Sequence, residues 1–223
     1  MKRSEINRQI DFAIDFFKLH SFKLPAWAYL TPDEWEKKGT DYDEIRLAGL
    51  GWDITDFGKK RFEEEGLTLF TVRNGYPGRV PYKTYCEKIM IAGDHQITPT
   101  HFHWKKMEDI INRGGGILCL QLWKADQQTE EKTDLPFNVK IDGVIHSCYA
   151  GDIVRLKPGE SICFEPYLYH QFWAENGTTL VGEVSTVNDD SNDNRFYESL
   201  GRYPEIIEDE QSRYCLCNEY LVN

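Results

Sequence analysis

A chain of 223 residues, 40% hydrophobic and 28% charged, has the composition of an ordinary globular protein and not that of a disordered or fibrous one. Its 37 Asp and Glu against 26 Lys and Arg give a formal charge of -11, the wrong sign for a phosphate-binding surface, so nucleic acid and anionic membranes are not expected partners. No stretch approaches the roughly 18 apolar residues of a spanning helix. Met1 to Leu19 is too charged for a secretory signal, and the expected location is the cytoplasm.

The chain opens with Ile6, Ile10, Ala13 and Phe17 on one helical face and Ser4 as a candidate N-cap. This predicts an amphipathic helix of about four turns, whose apolar stripe needs a docking surface. Thr31-Pro32-Asp33-Glu34 has the form of a capping box with proline at the first helical position, and predicts a short helix through Trp35 and Lys38. Asp56 is read as the start of another helix toward Glu65, which makes residues 1–66 a helix-rich extension.

From Leu67 the texture changes to short β-branched and aromatic runs divided by turn residues. Strands are expected over Leu67 to Arg73, Tyr82 to Ala92, Gly116 to Lys124, Val139 to Cys148 and Gly151 to Leu156. Others follow at Ser161 to Phe164, His170 to Glu175 and Thr178 to Thr186. Asp142-Gly143 and Glu175-Asn176-Gly177 are read as hairpin turns. Strands at this spacing predict an antiparallel β-barrel or jelly roll over residues 67–187. A loop and tail, 188–223, complete a single domain, with Tyr214 to Val222 as an edge strand or loose terminus. The six cysteines include no Cys-x-x-Cys pair, and reduced, buried thiols are expected.

The chemistry-bearing residues concentrate in Thr98-Pro-Thr-His101-Phe-His103-Trp-Lys-Lys106-Met-Glu108, which leads to Gly114-Gly115-Gly116. In a strand, side chains two apart share a face, so His101 and His103 point into one space, and Glu108 returns to it if the strand ends and turns. Further on, Pro166 ends one strand and His170 begins the next, where a fourth ligand is expected. Three imidazoles and a carboxylate suit a divalent transition metal, Mn2+, Fe2+, Co2+, Ni2+ or Zn2+, without choosing among them.

These two stretches resemble the paired metal-binding motifs of the cupin superfamily, although the second departs from the usual form in its adjacent Pro158 and Gly159. Further segments extend the resemblance from Lys2 to about Phe196: Gly51-Trp52-Asp53-Ile-Thr-Asp56, Leu67-Thr-Leu-Phe70-Thr-Val-Arg-Asn74-Gly75 and Val181-Gly-Glu183-Val-Ser-Thr186-Val-Asn-Asp-Asp. With them the chain is similar to the bacterial D-lyxose isomerases. The resemblance implies a mainly β, cupin-type fold and interconversion of D-lyxose with D-xylulose, often also of D-mannose with D-fructose. It further implies a divalent metal that is commonly manganese, and, together with the amphipathic helix, a homodimer.

Aldose–ketose isomerisation needs a base that is not a metal ligand, and Glu183, in the apolar run Thr179 to Ser185, is the candidate. The plain alternative is an outward-facing glutamate on an edge strand. Lys106 is a candidate cation near the developing oxyanion, or else a solvated loop lysine. Period-two geometry lets only one of Glu87 and Lys88 face inward, and Lys88 is the candidate for holding sugar hydroxyls. Trp52 and Trp104 are candidate stacking surfaces for a monosaccharide, and Asp193 and Arg195 candidate caps of its cavity. Two rival readings keep the same ligands: an Fe(II)-dependent cupin dioxygenase and a non-catalytic, metal-containing sugar-binding cupin.

Overall fold

A computed structural model describes residues 1–76 and 82–220. Three α-helices, α1 (Arg3–Leu19), α2 (Pro32–Glu36) and α3 (Asp43–Leu47), precede the strands. The strands are β1 (Gly51–Thr55), β2 (Leu67–Arg73), β3 (Tyr85–Ala92), β4 (Thr98–Phe102), β5 (Glu108–Lys124), β6 (Phe137–Ile141), β7 (Val144–Cys148), β8 (Ile153–Leu156), β9 (Ser161–Phe164), β10 (Leu168–Thr186) and β11 (Arg195–Phe196). They pair antiparallel in the order β1-β2-β3-β10-β5-β9-β6-β7, with β4 on β10, β11 on β4 and β8 on β5.

The alternation of side chains along the strands creates two interiors. Leu67, Leu69, Met90, Ile110, Leu120, Phe172 and Val181 face the inside of the curved sheet. Phe70, Ile89, Ile91 and Leu180 face outward and meet Ile6, Ile10, Ala13 and Phe17 of α1. The helix therefore spends its apolar stripe on its own sheet. Its N-cap is Lys2, whose backbone N–H donates to the Glu5 carboxylate at 2.8 Å. Ser4, expected as the cap, lies inside the first turn and donates its hydroxyl to Asp209. The capping box at Thr31 forms, with the Thr31 N–H donating to Glu34 at 2.8 Å.

Other expectations need correction. Residues 51–55 are a fully buried strand in the stretch read as helix-rich. No helix follows Asp56: its carboxylate accepts the Gly58 N–H, and positive φ at Phe57 (52°), Gly58 (74°) and Lys60 (58°) winds the chain into turns. Glu175-Asn176-Gly177 makes a bulge, because the residues on both sides of it pair with the same neighbour, β5. Asn176 (φ 65°) and Gly177 (φ 120°) absorb the extra length. Opposite this bulge sits Gly115 (φ 97°), where a Cβ would lie 2.2 Å from the Thr178 carbonyl. β5 starts at Glu108, well before the expected Gly116, because glycine allows the strand to bend through Gly114 and Gly115 without ending.

In the tail, the Cys217 N–H donates to the Trp52 carbonyl at 2.7 Å, and Leu216 makes a single parallel bridge to Trp52. The last part of the expected Tyr214 to Val222 strand lies outside the described residues. No cysteine among the described residues is in a disulfide. No helix among them is long and apolar enough to cross a membrane.

Candidate active site

His101 on β4 lies directly across from His170 on β10, which brings two imidazoles together from segments far apart in sequence. His103 follows at the end of β4, and Glu108 opens β5, where it pairs with Ser185 of β10 and Phe164 of β9. The Phe164 ring stacks on His170, with centroids 4.4 Å apart. The ligating nitrogens available on the three histidines lie within 4.8 Å of one another. Glu108 Oε1 is 3.3 Å from Nε2 of both His103 and His170.

Hydrogen bonding fixes what these atoms can do. Nδ1 of His101 contacts the Pro99 carbonyl at 2.8 Å, that of His103 the Asp193 carbonyl at 2.6 Å, and that of His170 the Leu168 carbonyl at 3.0 Å. A carbonyl accepts only, so each Nδ1 carries the proton and donates, and each Nε2 presents a lone pair. His101 and His170 thus face each other Nε2 to Nε2 at 3.1 Å, two acceptors with no proton between them. His103 Nε2 and Glu108 Oε1 are buried without a hydrogen-bond partner among the described residues.

Four converging acceptors in a buried place call for a cation. Protons do not serve: burial, then the neighbouring imidazoles, holds His101 well below the usual histidine range. Burial likewise takes His170 down to about 4. Burial alone would raise the Glu108 pKa, but Lys106 and His103 outweigh it and hold the carboxyl well below its ordinary value. The donor set of three neutral imidazoles and one carboxylate therefore fits a divalent transition metal, and the backbone carbonyls supply the orienting contacts such ligands need.

Beside this cluster lies a chain of buried charges. Lys106 Nζ is 2.7 Å from Glu108 Oε2, 2.9 Å from Glu183 Oε1 and 3.3 Å from Asn188 Oδ1. Lys88, the cross-strand partner of Glu183, reaches Asn188 Oδ1 at 2.8 Å, Glu183 at 3.4 Å and Asp190 at 4.0 Å. Asp190 in turn meets Arg202 Nη2 at 3.2 Å, and the same nitrogen bonds Asp53. Burial opposes ionisation of Glu183, and Lys106 and Lys88 overcome it, so its pKa is lowered. Asp190 is held well below the usual carboxylate range, since Arg202 and Lys88 outweigh its burial.

His101, His103, Glu108, His170, Glu183, Lys106 and Lys88 line one cavity, together with apolar Leu69, Met90, Phe172 and Phe196. Glu87, the neighbour of Lys88, faces away and pairs with Arg73 at 2.7 Å. Four other residues chosen from the sequence do not line it. Trp52 is fully buried on the helix side, stacked on Phe17 and donating its indole N–H to the Ala28 carbonyl at 2.9 Å; strand alternation turns Asp53 inward instead. Trp104 donates its indole N–H to Glu130 at 2.7 Å and packs with Phe102.

Asp193 directs its carboxylate at the backbone N–H groups of Lys105 and Lys106, both at 2.9 Å, and so holds the turn between the ligands. Arg195 pairs with Glu130 at 3.1 Å. Two cavity residues, Asn194 and Arg202, have no local sequence signal, while Asp190 belongs to the Asn-Asp-Asp run that carried part of the family resemblance.

Antiparallel β-architecture around a buried cluster of three histidines and a glutamate defines a protein of the cupin class. In keeping with this, the fold matches solved L-ribose isomerases. That of Cellulomonas parahominis has a TM-score of 0.61 at 14% identity, covering 92% of this chain and 98% of that one. That of Acinetobacter sp. DL28, in complex with L-ribose, has 0.60 at 14%, with the same coverage. The model of the D-lyxose isomerase family matches residues 1–220. A D-lyxose/D-mannose isomerase of Escherichia coli O157:H7 is 51% identical over 99% of this chain and 98% of its own length. One of Serratia proteamaculans is 47% identical at the same coverage. The chain belongs to the D-lyxose isomerase family and is a sugar isomerase, which sets aside the dioxygenase and the non-catalytic readings.

Proposed function

We propose that the chain interconverts D-lyxose and D-xylulose, and D-mannose and D-fructose, with a divalent metal, Mn2+ by preference, held by His101, His103, Glu108 and His170. The observation that supports this most is that Glu183, a buried carboxylate outside the ligand set, shares one cavity with the acceptor-only cluster. When bound, such a metal supplies Lewis acidity for the carbonyl and hydroxyl oxygens on C1 and C2.

The remaining steps fall to the chain itself. Glu183 takes the proton from C2 and returns it to C1 on the same face, through a cis-enediol. Lys88 and Lys106 keep Glu183 ionised, and their charge makes its protonated form a ready donor back to carbon. Lys106 spends its donors on Glu108, Glu183 and Asn188, so it sets the spacing of ligand and base. The apolar wall of Leu69, Met90, Phe172 and Phe196 limits water around the proton in transit.

The test is metal-stripped protein incubated with D-lyxose, D-mannose, D-xylose and L-ribose, with and without Mn(II). Ketose is expected from D-lyxose and D-mannose only after Mn(II) is restored; absence of ketose from every sugar contradicts the reading. In deuterated water the ketose should carry deuterium at C1. Quantitative retention of the C2 hydrogen would show a hydride shift and remove Glu183 from its role.

The proposed location is the cytoplasm and the proposed assembly a homodimer. α1 gives the dimer no support, since its apolar face is already covered. Exposed Val144 and Ile145 on the edge strand β7 do support it, and sedimentation equilibrium measures it.

A further inference from the structure

Arg202 enters the cavity from the C-terminal tail, beyond every segment that carried the family resemblance in the sequence. Its backbone is fastened, because the Thr55 hydroxyl donates to the Arg202 carbonyl at 2.8 Å. Its guanidinium is used unevenly. Nη2 alone serves both Asp53 and Asp190, whereas Nη1 is buried and has no hydrogen-bond partner among the described residues. A charged donor left in this condition is costly, and an arginine that only neutralised the two carboxylates would have no reason to hold its second nitrogen buried beside the cavity.

The position along the charge chain says what the free donor meets. Lys106 joins Glu108 to Glu183, Lys88 joins Glu183 to Asp190, and Asp190 meets Arg202, so Arg202 stands at the end remote from the imidazoles. A sugar with C1 and C2 between the ligand cluster and Glu183 extends its later carbons toward that end. We infer that Arg202 Nη1 is a specificity-determining donor for a hydroxyl on C3 or C4 of the aldose, with Asp53 and Asp190 orienting the guanidinium plane. D-lyxose and D-mannose have the same configuration at C2, C3 and C4, so one fixed donor there serves both and leaves the substituent at C5 unread.

This inference rests on the isomerase reading, and the experiment separates the two. Wild-type protein and R202K are compared on D-mannose and on its 3-deoxy and 4-deoxy analogues, with melting temperature and metal content measured alongside. Lysine keeps a positive charge against Asp53 and Asp190 but has no second nitrogen on a fixed plane. On D-mannose, R202K should lose about 10- to 100-fold in kcat/KM, the range for removing a charged hydrogen bond to substrate. On one of the two deoxy analogues the wild type should lose a similar factor, and R202K should then cost nothing more.

Full activity of R202K, or an equal R202K loss on all three sugars, overturns the inference and leaves the isomerase reading intact. Should R202K fail to fold, the wild type alone decides: turnover of both deoxy analogues within about threefold of D-mannose overturns it, being far below the cost of leaving a buried charged donor unpaired. A metal-loaded wild type inactive on D-mannose and D-lyxose overturns both.

Discussion

On β3, Ile89 and Ile91 turn toward α1 while Lys88 and Met90 turn into the barrel; on β10, Leu180 faces the helix and Glu183 the cavity. One backbone thus serves an apolar interface and a buried charge network, separated only by strand alternation. On the helix side, stability comes from area removed from water, and loss of a side chain leaves a hole. On the cavity side it depends on pairing: Glu108, Glu183 and Asp190 are tolerated because Lys88, Lys106 and Arg202 lie against them, and loss of one member strands another.

Substitutions that break this contrast should differ in kind. The largest effect is expected for His101→Ala or His170→Ala, which should lose the bound metal and at least ~1,000-fold in kcat/KM, as elemental analysis and ketose assays would show. Next is Lys106→Met, which leaves Glu108 and Glu183 without their shared cation. It should destabilise by about 3–5 kcal/mol in urea titration and abolish most activity. On the helix side, Ile10→Ala should cost roughly 2–5 kcal/mol in the same titration, yet leave kcat/KM of the folded enzyme within about twofold.

Acid sharpens the comparison without any substitution. His101 and His170 are buried neutral, so in the metal-free protein the unfolded chain takes up protons first. Stability should be at full value above the ordinary histidine pKa of 6.5 and fall as pH drops from there toward about 4, where His170 titrates in the fold. Glu108 and Glu183, with lowered pKa values, contribute stability that persists above the ordinary 4.5 and is lost only below it. A second decline should therefore follow in more acid solution. Bound metal should flatten the first decline, since protons compete with it for the imidazoles. The smallest effect is expected for Trp104→Phe, with KM unchanged and about 1 kcal/mol lost with the hydrogen bond to Glu130.

How much of this was legible in the sequence follows from which signals are local. His101, His103 and Glu108 lie within one turn of chain, and strand alternation suffices to aim the two histidines together. Glu183 and Lys88 were recoverable because a charge in an apolar strand must face something. Trp52 was misplaced because a tryptophan reads alike on either face of a strand; only the docking of Phe17 against it shows which face is the helix side. Asp193 was assigned to substrate, but its carboxylate caps two backbone N–H groups, a contact set by where the loop after β10 returns. Arg202 was beyond reach, since its meeting with Asp53 and Asp190 joins the tail to β1 and to that loop, and no periodicity encodes such a closure. The helix expected after Asp56 failed for a local reason, the side-chain turn that competes with helix initiation.

The central claim, that the three Nε2 atoms and the Glu108 carboxylate are poised to hold a cation, is tested most directly by titrating metal-stripped protein with Mn(II) in a calorimeter. The structure calls for one equivalent bound per chain, and for that binding to vanish in Glu108→Gln and His103→Ala variants that remain folded. Binding that survives both substitutions, or no binding by the wild type, would contradict it.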